Sequence, residues 1–300
     1  MPESATFQSK GIDIAADVFL PANAGSDPLP GVVISHPFGG VKEQTASAYA
    51  KYLADAGFVA LVFDAAYNGA SGGEPRYLED PNQRVEDIKS AVSYLTTRKE
   101  VDTQRIGALG ICASGGYVPF AASTDQRIKA VATVSAADMG SLFREGLGGG
   151  QSVDDLLAGL KKASDARTAE AAGEKPVLSH VVPNTPAEVP DGFPTLYKEG
   201  TDYYRTPRAQ HPRSVNWFIE RSLDVISTYS SFTYIDWISP RPLLMIAGSK
   251  ADTLYFSERA IKAAKEPKEL FLIDGKSHID LYDDLSGAGP KLVDFLNKNL

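Results

Sequence analysis

The stretch Arg105-Ile106-Gly107-Ala108-Leu109-Gly110-Ile111-Cys112-Ala113-Ser114-Gly115-Gly116-Tyr117 decides the fold. Ile106 to Ile111 is apolar or small at every position, the pattern of a strand covered on both faces. Gly110, Cys112 and Ser114 then give the order small, nucleophile, small. A very sharp strand-to-helix turn needs that order, because large side chains two positions before and after the apex would collide. The turn lifts the apex side chain above the sheet and aims a helix N-terminus at it. In this register the apex is Cys112, the only cysteine in the chain. A lone cysteine in an apolar segment is most often a small core residue, but a plain core strand has no use for Gly-x-Cys-x-Ser-Gly-Gly. Ser114 fits the same template when the turn is read as Cys112-Ala113-Ser114-Gly115-Gly116. Cys112 is the preferred apex, since the apolar run opens at Ile106, about the length of one short buried strand earlier.

Working outward, residues 4–20 alternate loosely and read as an opening antiparallel pair of strands at one edge. Asn23 to Pro30 is a turn-rich connection. Gly31 to Ser35 is a buried strand running into His36-Pro37-Phe38-Gly39-Gly40. A helix is expected over Ala46–Ala56, a strand over Val59–Phe63, and a Gly/Ser loop over Asn68–Gly73. A helix over Arg84–Arg98 carries Val85, Ile88, Ala91, Val92 and Leu95 on one face. Ile128 to Ser135 is the next buried strand. Apolar strands alternating with amphipathic helices predict an α/β fold with a mainly parallel sheet and helices on both faces. The pattern breaks near Ala137 and resumes only at Pro242–Gly248, a gap too long for a loop. That gap holds a polar helix, Ser152–Ala172, and an aromatic segment, Tyr203–Phe218, and reads as an inserted cap. The expected organisation is a core of residues 1–137 and 240–300 with a cap at 138–239. The last elements are a helix at Ser257–Ala264, a strand at Glu269–Ile273 and a helix at Pro290–Asn299.

Composition narrows the function. Hydrophobic residues make up 43% of the 300, ample for a core, and the net charge of −8 argues against nucleic acid as a partner. One cysteine excludes a disulfide framework and a Cys-rich zinc site, and suits a reducing compartment such as the cytoplasm. Met1 to Gly11 has no basic region followed by an apolar run, so no secretory signal is read there. No stretch is apolar enough for a membrane span. No ligand spacing for a metal and no phosphate loop is visible, so no cofactor is expected.

In an open α/β sheet, ligands bind beyond the carboxyl ends of the strands. Cys112 follows one strand, Asp252 follows Pro242–Gly248, and His278 follows the last strand, in the order nucleophile, acid, histidine. Among the four histidines, His36 reads as a buried ring bonding backbone, while His180 and His211 fall in the cap. Asp138 is the alternative acid. Asp64 reads as a brace for the Asn68–Gly73 loop, and Asp280 as a local turn group.

The chain resembles an α/β-hydrolase on these residues. Gly110-Ile111-Cys112-Ala113-Ser114-Gly115-Gly116 is similar to the Gly-x-Cys-x-Gly-Gly elbow of dienelactone hydrolases, with Ser114 where they have the first of two glycines. The cap, with Tyr-Tyr-x-Thr-Pro-Arg and His-Pro-Arg-Ser, looks like a larger branch that includes fungal polyketide transferases. The fold resemblance covers residues 4–137 and 240–300. In this reading His278 takes the thiol proton and later delivers one to the leaving group. Asp252 holds the other ring nitrogen and stabilises the imidazolium. The oxyanion hole is formed by the backbone N–H of Ala113 and of Phe38, whose side chain has no donor to offer.

Most cap aromatics are expected to fasten the cap to the core, and one or two to roof a pocket. Tyr204, Trp217 and Tyr67 are the candidate walls. Arg205, Arg208 and Arg213 form a basic cluster that either pairs with the acidic surface or, through Arg208, holds an anionic substrate end. The expected function is a cysteine-dependent hydrolase of a small-molecule ester, lactone or thioester, through an S-acyl intermediate on Cys112. The alternatives are acyl transfer from the same intermediate, a non-catalytic ligand-binding protein, and Ser114 as nucleophile. The fold is compatible with a homodimer, though no stretch marks an interface.

Overall fold

Continuous apolar runs become the central strands of one eight-stranded sheet. The chain, described here from a computed structural model, is placed over residues 2–22 and 25–300. Met1 and Asn23, where the N-terminal stretch and the turn-rich connection open, lie outside the described residues. The strands are β1 (Glu3–Ser9), β2 (Ile12–Phe19), β3 (Leu29–Ser35), β4 (Val59–Phe63), β5 (Val101–Ile111), β6 (Ile128–Val134), the short β7 (Leu178–His180) and β8 (Trp217–Ile219), β9 (Leu243–Gly248) and β10 (Lys268–Ile273). The large sheet has the order β1-β2-β4-β3-β5-β6-β9-β10, and β7 and β8 pair separately. β1 and β2 form the antiparallel edge; all pairings from β4 to β10 are parallel. β4 and β9 are buried at every position, as strands with helices on both faces must be.

The helices are α1 (Thr45–Asp55), α2 (Pro81–Leu95), α3 (Ser114–Thr124), α4 (Met139–Glu145), α5 (Val153–Ala171), α6 (Thr195–Arg205), α7 (Leu223–Ile226), α8 (Leu254–Ala263), α9 (Asp280–Asp283) and α10 (Ala288–Asn299). α1 and α10 pack one face of the sheet; α2, α3 and α8 pack the other. Sequence periodicity began α2 at Arg84. Its true start is Pro81, because Asp80 accepts from the N–H groups of Asn82 and Gln83 and proline suits the first helical position. Arg84 therefore lies inside the helix.

The chain steps from β3 outward to β4 and then back past β3 to β5. The crevice of such a sheet opens where the strand order reverses, beyond the carboxyl ends of β3 and β5. After Val134 the chain leaves the large sheet and rejoins it at Leu243. α4 to α7 and the β7–β8 ribbon occupy this interval. α5 is mostly exposed and polar, as its composition predicts, with Ser152 capping its start.

Candidate active site

Cys112 sits at the apex between β5 and α3 with φ +57°, the left-handed region that non-glycine residues rarely adopt. Its N–H donates to Val134 O (3.0 Å), and its carbonyl accepts from Gly115 N (2.8 Å) and Ala137 N (2.9 Å). The strained apex is thus held from three sides. Gly110 is required beneath it, since a Cβ there would lie 1.9 Å from the Ser114 carbonyl oxygen.

Ser114 is fully buried. Its hydroxyl donates to His36 O (2.6 Å), meets the Ser35 hydroxyl (2.8 Å) and accepts from Arg84 Nη2 (2.9 Å). It ties the loop after β3 to the first turn of α3 and does not line the cavity over Cys112. Arg84 also donates to His36 O (2.6 Å), so one buried guanidinium ties the loop after β3 to the turn after β5. His36 bonds backbone on both ring nitrogens, to Pro37 O (2.7 Å) and from Ala65 N (3.0 Å). Burial and the Arg84 charge hold it well below the usual histidine pKa, so it stays neutral. Together these contacts set the position of Phe38.

The thiol of Cys112 faces the N–H groups of Phe38 and Ala113 and the hydroxyl of Tyr282. Burial raises its pKa; these three donors pull it back. His278 Nδ1 meets the Thr253 hydroxyl at 2.5 Å, and Nε2 meets the Tyr282 hydroxyl at 3.1 Å. Burial lowers the His278 pKa to about 3. The His278 loop is anchored by Ser135, whose hydroxyl donates to the His278 carbonyl (2.9 Å). A Cβ on Gly248 would lie 2.1 Å from Lys276 O, so the loops after β9 and β10 run in direct backbone contact.

Asp252 does not meet His278. Its carboxylate accepts from Leu196 N (2.8 Å) in the first turn of α6. That helix starts after Pro194, which offers no capping side chain, and a carboxylate is favoured at a helix N-terminus. Asp252 supplies the missing cap, and the neighbouring Thr253 takes the imidazole. Asp138, the other acid considered, caps α4 and accepts from Ser231 Oγ (3.0 Å). Asp64 braces its loop by accepting from Lys42 N and Ala70 N (both 2.7 Å), and Asp280 accepts from Ser277 N (2.9 Å).

A cavity of about 550 Å³ opens over Cys112 and is lined by Phe38, His278, Tyr282 and Thr253 on the sheet side. The segment between β6 and β9 lines most of the rest, with Met139, Leu142, Phe143, Leu196, Tyr197 and Phe218 among its apolar walls, and Ile279 completes it. Of the four expected substrate contacts, Tyr204 lines it. The other three do not. Trp217 turns away and stacks on His180 at 4.0 Å, while its strand neighbour Phe218 faces the cavity, as β alternation dictates. Arg208 is held outside by Asp283 (2.7 and 2.8 Å) and Asp202 (3.2 Å). Tyr67 packs on Gly73, where a Cβ would lie 2.6 Å from its ring, and its backbone bonds Gly72 O and Tyr77 N. His180 lines the cavity; His211 accepts from Arg213 N (3.3 Å) within its own loop. Among the described residues, no Lys or Arg lines the cavity, and Asp155 and Glu220 are its only carboxylates.

The sheet order, the elbow after β5 and the histidine after β10 define an α/β-hydrolase. Residues 14–137 match the dienelactone hydrolase family, and the chain belongs to that family. It is 41% identical over 285 residues to the uncharacterized protein PA2218 of Pseudomonas aeruginosa, covering 93% of this chain and 76% of that one. The crystal structure of PA2218 superposes with a TM-score of 0.95 at 38% identity, covering 100% of this chain and 94% of that one. The polyketide transferase grgF of Penicillium sp is 25% identical over 287 residues, 90% of this chain and 88% of its own. Its crystal structure matches with a TM-score of 0.84 at 22% identity, covering 100% of this chain and 99% of that one, a likeness of fold. The thiohydrolase aneE of Aspergillus aculeatus is 26% identical over 266 residues, 83% of this chain and 78% of its own.

His278 carries the first testable consequence. With its pKa near 3, wild-type kcat/KM should show no inflection near pH 6.5 and stay level from about pH 5 up to the thiol ionisation. If Cys112 is the nucleophile, the reading proposed below, His278→Asn should lower kcat/KM at neutral pH by about 10³-fold, with a residual rate that climbs about tenfold per pH unit because only the preformed thiolate then reacts. A wild-type inflection at pH 6.5, measured by initial rates, contradicts the buried neutral imidazole.

Proposed function

We propose that the protein cleaves an uncharged ester, lactone or thioester through an S-acyl intermediate on Cys112, with the insertion serving as a cap over the acyl pocket. The observation that carries this reading is the thiol at a left-handed apex, facing two backbone N–H groups, in one cavity with a buried neutral histidine. The Cys112 thiol gives up its proton, which His278 receives, as the sulfur attacks the acyl carbon; a C–S bond forms and the carbonyl electrons move to oxygen. The N–H groups of Phe38 and Ala113 receive that oxyanion, each worth roughly 3–4 kcal/mol in the transition state. His278 gives its proton to the departing oxygen or sulfur as that bond breaks. Water then attacks the S-acyl carbon, passing a proton to His278; the C–S bond breaks, and the departing thiolate takes that proton back. An alcohol in place of water makes the reaction an acyl transfer. The names of two relatives, a thiohydrolase and a polyketide transferase, span both outcomes. Hydrolysis is the reading adopted for this chain.

The charge of the cavity supports an uncharged acyl group. A carboxylate entering it would lose water and meet Asp155 and Glu220, with no Lys or Arg among the described lining residues. The expected preference is tested with p-nitrophenyl hexanoate against its carboxylate-ended analogue, mono-p-nitrophenyl adipate. kcat/KM should be about 10²-fold lower for the adipate. Equal values, or a preference for the adipate, would overturn the uncharged-substrate reading. Release of p-nitrophenol in a burst of one per protein chain would support an acyl-enzyme; steady release from Cys112→Ala at the wild-type rate would refute it.

A further inference from the structure

In this structure the imidazole and the thiol are not joined directly: no hydrogen bond links Cys112 and His278 among the described residues. The group on His278 Nε2 is the Tyr282 hydroxyl, at 3.1 Å, and both Tyr282 and Cys112 line the same cavity. Tyr282 is fully buried on α9, one helical turn after His278, and its ring is clamped edge-on by Tyr203 at 5.1 Å. Its hydroxyl faces the imidazole, the thiol and the hydroxyl of Tyr204.

We propose that the Tyr282 hydroxyl conducts the proton from the Cys112 thiol to His278 Nε2, making Thr253, His278, Tyr282 and Cys112 one hydrogen-bonded relay. The proposal rests on the reading of Cys112 as nucleophile. As the S–H bond breaks, the thiol proton passes to Tyr282 Oη. The phenol's own proton passes to Nε2 in the same motion. As the sulfur bonds to the acyl carbon the imidazole becomes an imidazolium, and the phenol is neutral before and after. For Nε2 to accept, the resting proton of the imidazole must be on Nδ1, where it donates to Thr253 Oγ1 at 2.5 Å. The surroundings keep the phenol protonated: burial and the nearby Cys112 and Tyr204 push its pKa well above the usual tyrosine value. It is therefore a conductor of protons and never the base. No carboxylate completes the chain on the Nδ1 side, since Asp252 is engaged with α6. The relay must then move its protons together with sulfur attack, because the free imidazolium is disfavoured by burial.

The single cysteine makes the test clean, because iodoacetamide then reports one thiol. The rate of Cys112 alkylation against pH is measured for wild type, for Tyr282→Phe, and for protein carrying 3,5-difluorotyrosine at position 282. The fluorinated residue is close to isosteric, so it keeps the test valid if Tyr282→Phe folds poorly. Tyr282→Phe should alkylate about tenfold more slowly at neutral pH, having lost a hydrogen bond to the thiolate. Its kcat/KM on p-nitrophenyl hexanoate should fall by roughly 10²-fold. The more acidic difluorophenol should speed alkylation above wild type. Alkylation at the wild-type rate in either variant overturns the relay, including the case where turnover of Tyr282→Phe falls but its alkylation does not, which is a packing effect. That failure leaves the nucleophile untouched. Turnover that persists in Cys112→Ala fails the nucleophile reading instead, whatever the alkylation rates.

Discussion

Cys112→Ala is expected to lower kcat/KM on a neutral p-nitrophenyl ester by about 10⁴-fold or more, the loss seen when the nucleophile of a coupled catalytic unit is removed. The oxyanion donors and the apolar walls remain, so a residual rate above background is expected. Folding should be little affected. Alanine keeps the Cβ and tolerates φ +57° about as well as cysteine does, and every backbone bond at the apex is retained. Cys112→Ser should be nearly as slow as the alanine variant. A thiol ionises near pH ~8.5, whereas a hydroxyl needs a much stronger base. His278 is a weak base, with its pKa pushed down to about 3 and a neutral threonine on Nδ1. The site is therefore matched to sulfur. Serine activity within tenfold of wild type would mean that His278 is far more basic than its burial implies.

Gly110→Ala should be the most damaging small change in the core. The added Cβ would lie 1.9 Å from Ser114 O, 2.5 Å from its carbonyl carbon and 2.9 Å from Gly115 N. All three are backbone atoms of the first turn of α3, which no rotamer change can move aside. α3 is wedged in turn, because Gly115 would bring a Cβ to 2.6 Å from Ala136. The turn must open, at a cost of roughly 3–5 kcal/mol. For a chain of this size that lowers Tm by about 10 °C. Calorimetry giving a Tm within about 2 °C of wild type would contradict the close approach. Retained activity with a lowered Tm would show that the elbow can rebuild itself, and the geometry argues against that.

The fold was legible because its central strands are buried on both faces and so read as unbroken apolar runs, Val59–Phe63 and Leu243–Gly248 among them. The elbow was legible because a tight turn restricts side-chain size at fixed spacing. The burial of Ser114 under Arg84 resolves a register that spacing left open. The partner of His278 was not legible. Asp252 and Thr253 are adjacent, and which one reaches the imidazole depends on a helix starting at Thr195, which the reading of the sequence did not place and whose first turn takes the Asp252 carboxylate. Trp217 and Phe218 were interchangeable because a three-residue strand is too short to reveal which side faces in. Arg208 was misplaced because its acidic partners, Asp202 and Asp283, come from two distant segments. Tyr282 did leave a signal, four residues after His278, one turn along if the chain there is helical. The reading of the sequence expected no helix at that point.

The central claim is that Cys112 carries the acyl group, and intact-protein mass spectrometry during turnover tests it most directly. Protein mixed with p-nitrophenyl hexanoate or a butyryl thioester and quenched within the burst should gain the mass of one acyl group. Peptide mapping should place that group on Cys112, and the adduct should be absent from Cys112→Ala. Its decay should speed up with added alcohol if transfer competes with hydrolysis. Acyl mass that persists in Cys112→Ala, or maps to any other residue while turnover continues, would contradict the account.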